Sequence, residues 1–325
     1  MKAVVLAGGY GTRLYPITLR TPKPLLPIAG KPVVRHTIES LAKSGVTAVV
    51  VSIKENQGKI ADCIGGGTSG CKVSYVFEPA AGESEKLGSV GALEYVFSKM
   101  GKPTECFVVG GDNYFHGLDF RKLREFHSGR RAHATIALYD VGTAAKASHY
   151  GVAAVDKQGR ITKFIEKPPA GSGSGTLVST AAYYLADNFL CEHIPGYCAH
   201  RRRQGKPADR IGDLWEHYLD SLQLYGFAFN GLWGDIGNAE NYLETNAAAL
   251  SLSKKPSIIA KGAKIGKNAV IGPGTSILHH STIGANCVVA GSVVFERTKI
   301  GAGTGHCCIR VSAESPHGIA TVLPF

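Results

Sequence analysis

A strict six-residue repeat constrains the fold of the C-terminal part of this chain more than any other feature. From residue 259 onward an aliphatic side chain recurs at every sixth position, and a mostly small residue follows four positions later. The aliphatic residues are Ile259, Ile265, Ile271, Ile277, Ile283 and Val289, and the followers are Ala263, Ala269, Thr275, Ser281, Cys287 and Val293. A short fixed period indicates a solenoid, and a period of six predicts a parallel β-helix in which the aliphatic side chains stack inside successive coils.

The repeat is bounded on both sides. Its phase slips by one residue at Ile300–Gly301, and the tail from His306 onward has no period of six. Terminal coils need atypical sequences that cover their edges, so we predict an irregular cap there. A helical stretch over Asn241–Leu250 comes before the repeat. We therefore predict a boundary near Ser253–Ser257, with one domain over 1–252 and a β-helix domain over 253–325.

The chain before residue 245 alternates short β-rich runs with helical stretches. Four runs rich in Val, Ile or Phe are bounded by turn residues, as strands are: Lys2–Ala7, Ala48–Ile53, Lys72–Phe77 and Glu105–Val109. Between the first two, Pro32–Ser44 has apolar residues at helical spacing, with Pro at its start and Gly45 after its end. Strand, helix and strand in this order predict an α/β domain with a Rossmann-like, mostly parallel sheet covered on both faces.

The charge balance points to an anionic partner. The chain has 325 residues and a formal net charge of +11, which suits nucleic acid, a membrane surface or a phosphorylated small molecule. Its only tight basic run is Arg201–Arg203, which we interpret as a solvated loop. We therefore expect a small phosphorylated substrate, with neither nucleic acid nor a membrane as partner.

The N-terminus and the cysteines indicate the compartment. Residues 1–7 have no basic region followed by a long apolar stretch, so they predict a buried strand rather than a signal peptide. No segment approaches about twenty uninterrupted apolar residues, the length that a membrane-spanning helix needs. None of the eight cysteines forms a C-x-x-C pair, and several lie in apolar runs, as buried free thiols do. We expect a cytoplasmic protein.

A glycine-rich loop follows the first predicted strand, where residues 8–13 read GGYGTR. Gly8, Gly9 and Gly11 allow the backbone to turn tightly and to present N–H groups to a phosphate. Arg13 adds a fork of donors suited to phosphate oxygens, and Lys23 lies in a stiff stretch between two prolines. The spacing fits neither the Rossmann fingerprint nor the P-loop, and such a loop alone is equally compatible with a plain strand connection.

The longer string LAGGYGTRLYPITLRTPKPLLPIAGKP, residues 6–32, closely resembles the signature of the sugar-phosphate nucleotidyltransferases. The resemblance covers nearly the whole first domain and extends to members with a C-terminal left-handed β-helix. It implies that a sugar 1-phosphate oxygen attacks the α-phosphorus of a nucleoside triphosphate in line, releasing pyrophosphate. It also implies a role for each residue of the loop. The expected nucleotide-binding residues are Leu6, Gly8, Gly9, Gly11, Thr12 and Arg13, of which Arg13 faces the pyrophosphate, and Lys23 contacts phosphate oxygens.

Such a reaction concentrates negative charge, so a divalent metal bound by carboxylates is expected. Two aspartates follow glycines, Asp112 in VVGGDNYF and Asp235 in GLWGDIGN. The resemblance implies that this pair binds Mg²⁺, which proteins usually hold with one or two carboxylates plus substrate phosphates. Each aspartate alone is equally consistent with a capped turn. With Arg13 and Lys23 they complete the expected catalytic set.

Three further segments resemble the family's sugar-phosphate pocket. They predict sugar-phosphate contacts by Tyr150, Gly151, Glu166, Lys167, Ser179 and Thr180. A carboxylate can accept hydrogen bonds from sugar hydroxyls, and an ammonium can neutralise a phosphate. In the third segment, LVSTAAYY at 177–184, Ser179 replaces the usual Asn and Ala181 replaces Gly.

The base pocket is assigned from residues 83–92, ESEKLGSVGA, which resemble a loop and helix that read the base in relatives. Gly88 is the expected nucleotide contact, because glycine suits a close approach of backbone to a flat base. The glutamine of many thymidylyl- and uridylyltransferases is absent, and Glu83 is nearest by spacing. We favour dTTP or UTP with glucose 1-phosphate, and keep GTP with mannose 1-phosphate as the alternative.

Two other functions remain open at this point. A regulatory or binding subunit without activity is one, although Arg13, Lys23, Asp112 and Asp235 are all present. Acyl transfer by the β-helix is the other, and we instead expect this domain to serve oligomerisation, giving a homo-oligomer, or regulation.

Overall fold

The computed structural model describes residues 1–68, 70–79, 87–101, 105–169, 171–302, 309–311 and 321–323. The chain divides into two compact units. The first unit contains Met1–Gly9 and Thr37–Trp233, and the second contains Tyr10–His36 and Gly234–Phe325. The segment after the first two glycines therefore groups with the C-terminal part of the chain. The boundary at 252/253 stays a prediction.

The helices and strands before the repeat follow the expected alternation. The helices are α1 Val33–Lys43, α2 Lys59–Ile64, α3 Gly88–Met100, α4 Phe120–Ser128, α5 Ala144–Ala147, α6 Ile194–Arg203, α7 Ile211–Tyr218 and α8 Ala239–Leu252. The strands are β1 Lys2–Leu6, β2 Pro27–Ile28, β3 Lys31–Pro32, β4 Ala48–Lys54, β5 Gly67–Thr68, β6 Cys71–Glu78, β7 Cys106–Gly110, β8 Asn113–His116, β9 Ala134–Asp140, β10 Gly151–Val155, β11 Ile161–Glu166, β12 Leu177–Leu185, β13 Leu224–Ala228 and β14 Leu232–Asp235. The four predicted strands and the predicted first helix are confirmed, within one or two residues at their ends.

One large sheet organises the first unit. Its strands follow the order β11-β10-β12-β7-β1-β4-β6-β5, and β9 and β13 branch from β12. The central strands β7, β1, β4 and β6 are parallel, whereas β12 runs antiparallel to β7 and β9. Strands β1, β4 and β7 are largely buried on both faces and read as continuous apolar runs, whereas β6 has several exposed positions. The predicted mostly parallel sheet is confirmed, with an antiparallel extension that the sequence did not reveal.

Aromatic packing fills one side of this unit. Trp215 is fully buried, with its ring 5.5 Å from that of Phe189 and 5.1 Å from that of Tyr183. It belongs to a cluster that joins α3, α6 and α7 to the sheet. Burying one such side chain contributes roughly 1.5–3 kcal/mol, so this cluster fixes helix α7 on strand β11.

The hexapeptide region forms a parallel β-helix in the second unit, built from β15 Ser257–Ile259, β16 Lys264–Ile265, β17 Val270–Ile271, β18 Thr275–Ile277, β19 Thr282–Ile283, β20 Val288–Val289, β21 Val293–Val294 and β22 Lys299–Ile300. Each strand pairs in parallel with the strand three repeats later, which gives three short sheets. Three repeats therefore complete one coil. Ile277, Ile283, Val289, Val294 and Ile300 are buried inside, as predicted for the first three. Ile259 and Ile265, which were also predicted to stack inside, are exposed in the first coil.

The register slip occurs earlier than predicted. Ile277 pairs with Val294, and Ile283 pairs with Ile300, so the coil has already lost one residue between Val289 and Val294. Four residues separate Ile271 from Ser276, whereas only three separate Val289 from Val293, which pairs with Ser276. The six-residue count hid this deletion because Val293 and Val294 are both apolar.

Helix α8 is tied to the β-helix by one buried amide. The Asn246 Oδ1 accepts from the Ala29 N–H and the Ser276 hydroxyl, both at 2.9 Å, and its Nδ2 donates to Gly274 O at 3.0 Å. A buried amide whose oxygen and nitrogen both have partners specifies one arrangement, because any shift would leave a costly unpaired group. The second unit therefore joins residues of 10–36, α8 and the first coils into one body.

The end of the chain is only partly described. Strands β23 Ile309–Val311 and β24 Thr321–Leu323 pair antiparallel, and the remainder of the predicted cap lies outside the described residues. Within the described ranges, no helix is long and apolar enough to cross a membrane. The six cysteines in those ranges are free thiols.

Candidate active site

The first two glycines of the loop lie on a polar support. A Cβ added at Gly8 would lie 2.7 Å from the Glu78 Oε1, so only glycine fits there without displacing that buried carboxylate. The Ser52 hydroxyl donates to the same oxygen at 2.7 Å. The Gln57 Nε2 donates to Gly9 O at 3.2 Å. Sequence reasoning missed this support, because Ser52 and Glu78 lie in two neighbouring strands, Gln57 follows one of them, and together they form no local motif.

The rest of the loop belongs to the second unit. Gly11 has φ 66°, and a Cβ there would lie 3.1 Å from the Lys23 Cβ, so conformation and space both require glycine. The Thr18 hydroxyl donates to Gly11 O at 2.8 Å. Thr12 and Arg13 begin a 3₁₀ turn and are exposed. The loop therefore presents the Arg13 guanidinium to solvent.

Lys23 and Asp235 form an ion pair within the second unit. The Lys23 Nζ lies 3.6 Å from the Asp235 Oδ1, and the two side chains are 9% and 22% exposed. Gly234 packs directly against the Thr245 side chain, which leaves no room for a Cβ before Asp235. The structure therefore brings together two predicted catalytic residues that are far apart in sequence.

Asp112 lies in the first unit at the end of a chain of contacts. The Asn113 Nδ2 donates to the Asp112 Oδ1 at 2.8 Å, and the Asn113 Oδ1 accepts from the Trp233 Nε1 at 2.9 Å. The Trp233 ring lies 4.9 Å from that of Tyr150. This chain connects a predicted metal ligand to a predicted sugar-pocket residue. Sequence reasoning missed the contacts of both Asn113 and Trp233.

Leu6 and Gly111 join the loop strand to the aspartate turn. The Gly111 N–H donates to Leu6 O at 2.8 Å. A Cβ at Gly111 would lie 3.1 Å from that same oxygen. Leu6, a predicted nucleotide-binding residue, thus already uses its carbonyl to position the turn before Asp112.

Glu166 occupies a tight niche between two glycines. Gly151 is its partner across β10 and β11, and Gly212 near the start of α7 lies directly against its carboxylate. The Glu216 Oε1 accepts from the Glu166 N–H at 2.7 Å. Burial raises the pKa of the Glu166 carboxyl, the positive charges of Lys167 and Arg210 oppose this, and nearby carboxylates add to it. The Lys167 N–H donates to Tyr150 O at 3.0 Å. Tyr150, Gly151, Glu166 and Lys167 therefore lie together, and their contacts with a sugar phosphate stay a prediction.

The segment with Ser179 and Thr180 forms a bulge in β12. Its register shifts between Ser179 and Tyr183, and Ala181 has φ 58°. This left-handed conformation favours glycine. The Thr180 hydroxyl is buried and donates to Ala137 O at 2.9 Å, whereas the Ser179 Oγ lies 3.4 Å from the Tyr183 hydroxyl. The Thr180 hydroxyl is therefore already used in a hydrogen bond within the sheet, and its contact with a sugar stays a prediction.

The structure explains why residue 88 is a glycine, which the sequence did not reveal. It has φ 75° and packs against the main chain of Ala208 and Asp209. The Ser89 N–H donates to Asp209 O at 2.6 Å. A close chain crossing therefore accounts for the glycine without a base, and base contact by Gly88 stays a prediction. Glu83 and the rest of 80–86 lie outside the described residues.

Comparisons with known proteins define the class. The profile of the nucleotidyl transferase family matches residues 2–251, and that of the six-repeat bacterial transferase hexapeptide matches residues 262–297. The chain belongs to the nucleotidyl transferase family. It is a sugar-phosphate nucleotidyltransferase, with a nucleoside triphosphate and a sugar phosphate as substrates, and the resemblance seen in the sequence is confirmed.

Individual relatives of the chain include named guanylyltransferases and a thymidylyltransferase-like structure. The chain is 30% identical to the mannose-1-phosphate guanyltransferase of Saccharomyces cerevisiae, over 84% of this chain and 72% of the relative. It is 28% identical to the mannose-1-phosphate guanylyltransferase of Mycobacterium tuberculosis, over 93% of this chain and 81% of the relative. A candidate glucose-1-phosphate thymidylyltransferase from Bacillus anthracis, solved with sucrose, superposes with TM-score 0.65 at 26% identity, over 77% of this chain and 95% of that one.

Proposed function

We propose that this enzyme transfers a guanylyl group from GTP to mannose 1-phosphate. The observation that carries the reaction type is the Lys23–Asp235 pair, in which Lys23 lies beside Gly11, in a chain of this family. The choice of substrates rests on the curated relatives, which include guanylyltransferases that match 84% and 93% of the chain. This replaces our initial preference for dTTP or UTP with glucose 1-phosphate.

The glycine loop and the basic residues would bind the triphosphate. Gly8 and Gly9 have no side chains to obstruct a phosphate, and Arg13 is exposed and free to follow a departing pyrophosphate. The ammonium of Lys23 is held by Asp235 at 3.6 Å, a distance longer than an optimal charge-assisted hydrogen bond. An incoming phosphate oxygen could therefore compete for it.

The two predicted carboxylates suit Mg²⁺, an ion that takes few of its ligands from protein, better than they suit a metal whose ligands all come from protein. Among the described residues, no cluster of three or more His, Cys, Asp or Glu could hold a metal ion. Asp112 and Asp235 are partly exposed single carboxylates, which fits an ion that takes most of its ligands from phosphates and water. Mg²⁺ bound by such a carboxylate would neutralise the charge that develops on the phosphates. Asn113 would hold Asp112 in orientation through its 2.8 Å hydrogen bond.

The sugar phosphate would meet the niche around Glu166. The carboxylate can accept hydrogen bonds from sugar hydroxyls, and Lys167 can neutralise the phosphate. Tyr150 would form a wall, since its ring rests on Trp233 at 4.9 Å. Tyr150 is thus connected to Asp112 through Trp233 and Asn113. This connection would couple the position of the sugar to that of the phosphates.

The direct test is a matrix of triphosphates against sugar 1-phosphates, read by pyrophosphate release. GTP, dTTP, UTP and ATP should each be incubated with mannose 1-phosphate and with glucose 1-phosphate. We expect the highest kcat/KM for GTP with mannose 1-phosphate, and loss of activity in the Asp112→Ala and Asp235→Ala variants. A higher kcat/KM for another pair of substrates would refute the substrate proposal. No pyrophosphate release from any pair would refute nucleotidyl transfer itself.

The second candidate is thymidylyl transfer to glucose 1-phosphate. It is favoured by the structural likeness to the Bacillus anthracis protein, which extends over 77% of this chain. In the matrix it predicts preference for dTTP, so one experiment separates the two.

A further inference from the structure

The first coil of the β-helix leaves its interior side chains uncovered. Strands β15, β16 and β17 each pair with a strand on one side only, among the residues that the structure describes. Ile259 and Ile265 are 49% and 38% exposed, whereas Ile277 and Ile283, their pairing partners one coil further, are 0% and 1% exposed. The coil therefore ends in an apolar centre that faces solvent.

Lysines surround this apolar centre. Lys261 and Lys267 lie at corners of the coil, Lys264 lies on the outer face of β16, and all three are exposed. Between residues 245 and 295 the sequence contains five lysines and no Asp or Glu. We call the surface of Ile259, Ile265, Lys261, Lys264 and Lys267 the basic coil end.

A cavity between the end of α8 and the β-helix also carries positive charge. It has a volume of about 470 Å³ and is lined by Ser251, Lys254, Lys255, Pro256 and Gly274 among others, with no acidic side chain. Lys254 follows the end of α8, where helix carbonyls carry partial negative charge. The cavity could admit a phosphorylated head group beside the coil.

We infer that the basic coil end docks on an anionic phospholipid membrane. Exposed aliphatic side chains ringed by lysines are the chemistry of surfaces that rest at a charged lipid interface. The free edges of β15, β16 and β17 still need hydrogen-bond partners, which head groups and water provide and hydrocarbon does not. The contact is therefore interfacial, without insertion into the hydrocarbon core.

The positive charge of the basic coil end disfavours a second copy of this chain as its partner. A second copy would bring lysines against lysines, and like charges in contact disfavour association. A membrane with anionic head groups offers the complementary charge. This departs from the expectation of no membrane partner, because the fold gathers lysines that are spread along the sequence around one apolar end.

The test is sedimentation of the full chain with vesicles at low and physiological salt. Vesicles of three parts phosphatidylcholine to one part phosphatidylglycerol should bind the protein, and phosphatidylcholine alone should not. Each lysine at an anionic surface strengthens binding about five-fold. The triple variant Lys261→Glu, Lys264→Glu and Lys267→Glu should therefore bind at least about 100-fold more weakly, and salt should weaken binding of the wild type.

A matched control separates the site from net charge. Lys122, Lys146 and Lys157 are exposed in the first unit, and their triple change to Glu lowers the formal charge of +11 by the same six units. We expect this control to keep most of the binding. Equal loss in both triple variants would overturn the assigned surface.

The apolar centre can be probed by fluorescence. Trp215 and Trp233 are buried, so an Ile259→Trp variant adds the one exposed indole among the described residues. Brominated phosphatidylglycerol should quench its emission, but not that of a Val155→Trp control, whose site is exposed in the first unit.

Three outcomes would overturn the proposal. They are no binding of the wild type to either vesicle, self-association through this surface in gel filtration, and binding to double-stranded DNA without binding to vesicles. Because none of these readouts uses catalysis, failure here leaves the proposed reaction untouched.

Discussion

Gly8 gives the sharpest test of the support beneath the loop. An alanine at this position would place its Cβ 2.7 Å from the Glu78 Oε1 and 3.1 Å from the Glu78 Cδ. The carboxylate cannot move freely, because it is buried and bonded to the Ser52 hydroxyl at 2.7 Å. Overpacking of this kind costs about 1–3 kcal/mol. We expect Gly8→Ala to lower the free energy of unfolding by that amount, measured by urea denaturation.

Gly9→Ala is the matched control. A Cβ at Gly9 would meet nothing within 4 Å, and neither glycine has a positive φ. We therefore expect Gly9→Ala to leave stability within about 0.5 kcal/mol of the wild type. If Gly9 N–H approaches phosphate as proposed, the same variant should still raise the KM for GTP.

A double-mutant cycle tests the cause. Glu78→Ala removes the carboxylate that the new Cβ would meet, so the double variant Gly8→Ala/Glu78→Ala should be less destabilised than the sum of the singles by at least about 1 kcal/mol. Additive effects would show that Gly8 and Glu78 do not constrain each other, and would refute this account of the loop.

Further predictions concern the site and the core. Lys23→Met should lower kcat/KM for pyrophosphate release about 10²–10³-fold, since it removes a charge aimed at the phosphates; unchanged kcat/KM would exclude that role. Trp233→Phe keeps an aromatic side chain but loses the indole N–H donor to Asn113, so it should cost at least about 1 kcal/mol of stability and lower kcat; an unchanged kcat would show that Trp233 does not act on Asp112. Ala181→Gly should raise the melting temperature by relieving φ 58°, a gain of about 1 kcal/mol, and a lower melting temperature would contradict this. Burial, aided by the charge of His133, lowers the pKa of His127 to about 4. The unfolded chain therefore binds the extra proton first, and stability should fall by about 3 kcal/mol from pH 6.5 to 4; an equal fall in His127→Gln would assign it to other groups.

The sequence predicted the elements well where a local pattern specified them. The six-residue period located the β-helix, and apolar runs located β1, β4, β6 and β7, because both signals arise from residues close in the chain. The slip was predicted too late in the chain, since a one-residue deletion before the adjacent Val293 and Val294 leaves no mark in a count of apolar positions. The antiparallel extension through β12 was missed because strand order depends on contacts between distant segments.

The sequence by itself determined that the chain pairs an α/β domain with a hexapeptide β-helix, and that Gly8–Arg13 belong to a nucleotidyltransferase loop. Only the tertiary structure decided why the glycines are needed, through Glu78 beneath Gly8 and Asp209 against Gly88. It also decided that Lys23 meets Asp235. The physical reason is that periodicity and turn chemistry are local properties of the chain, whereas steric exclusion and charge pairing act between groups that only folding brings together.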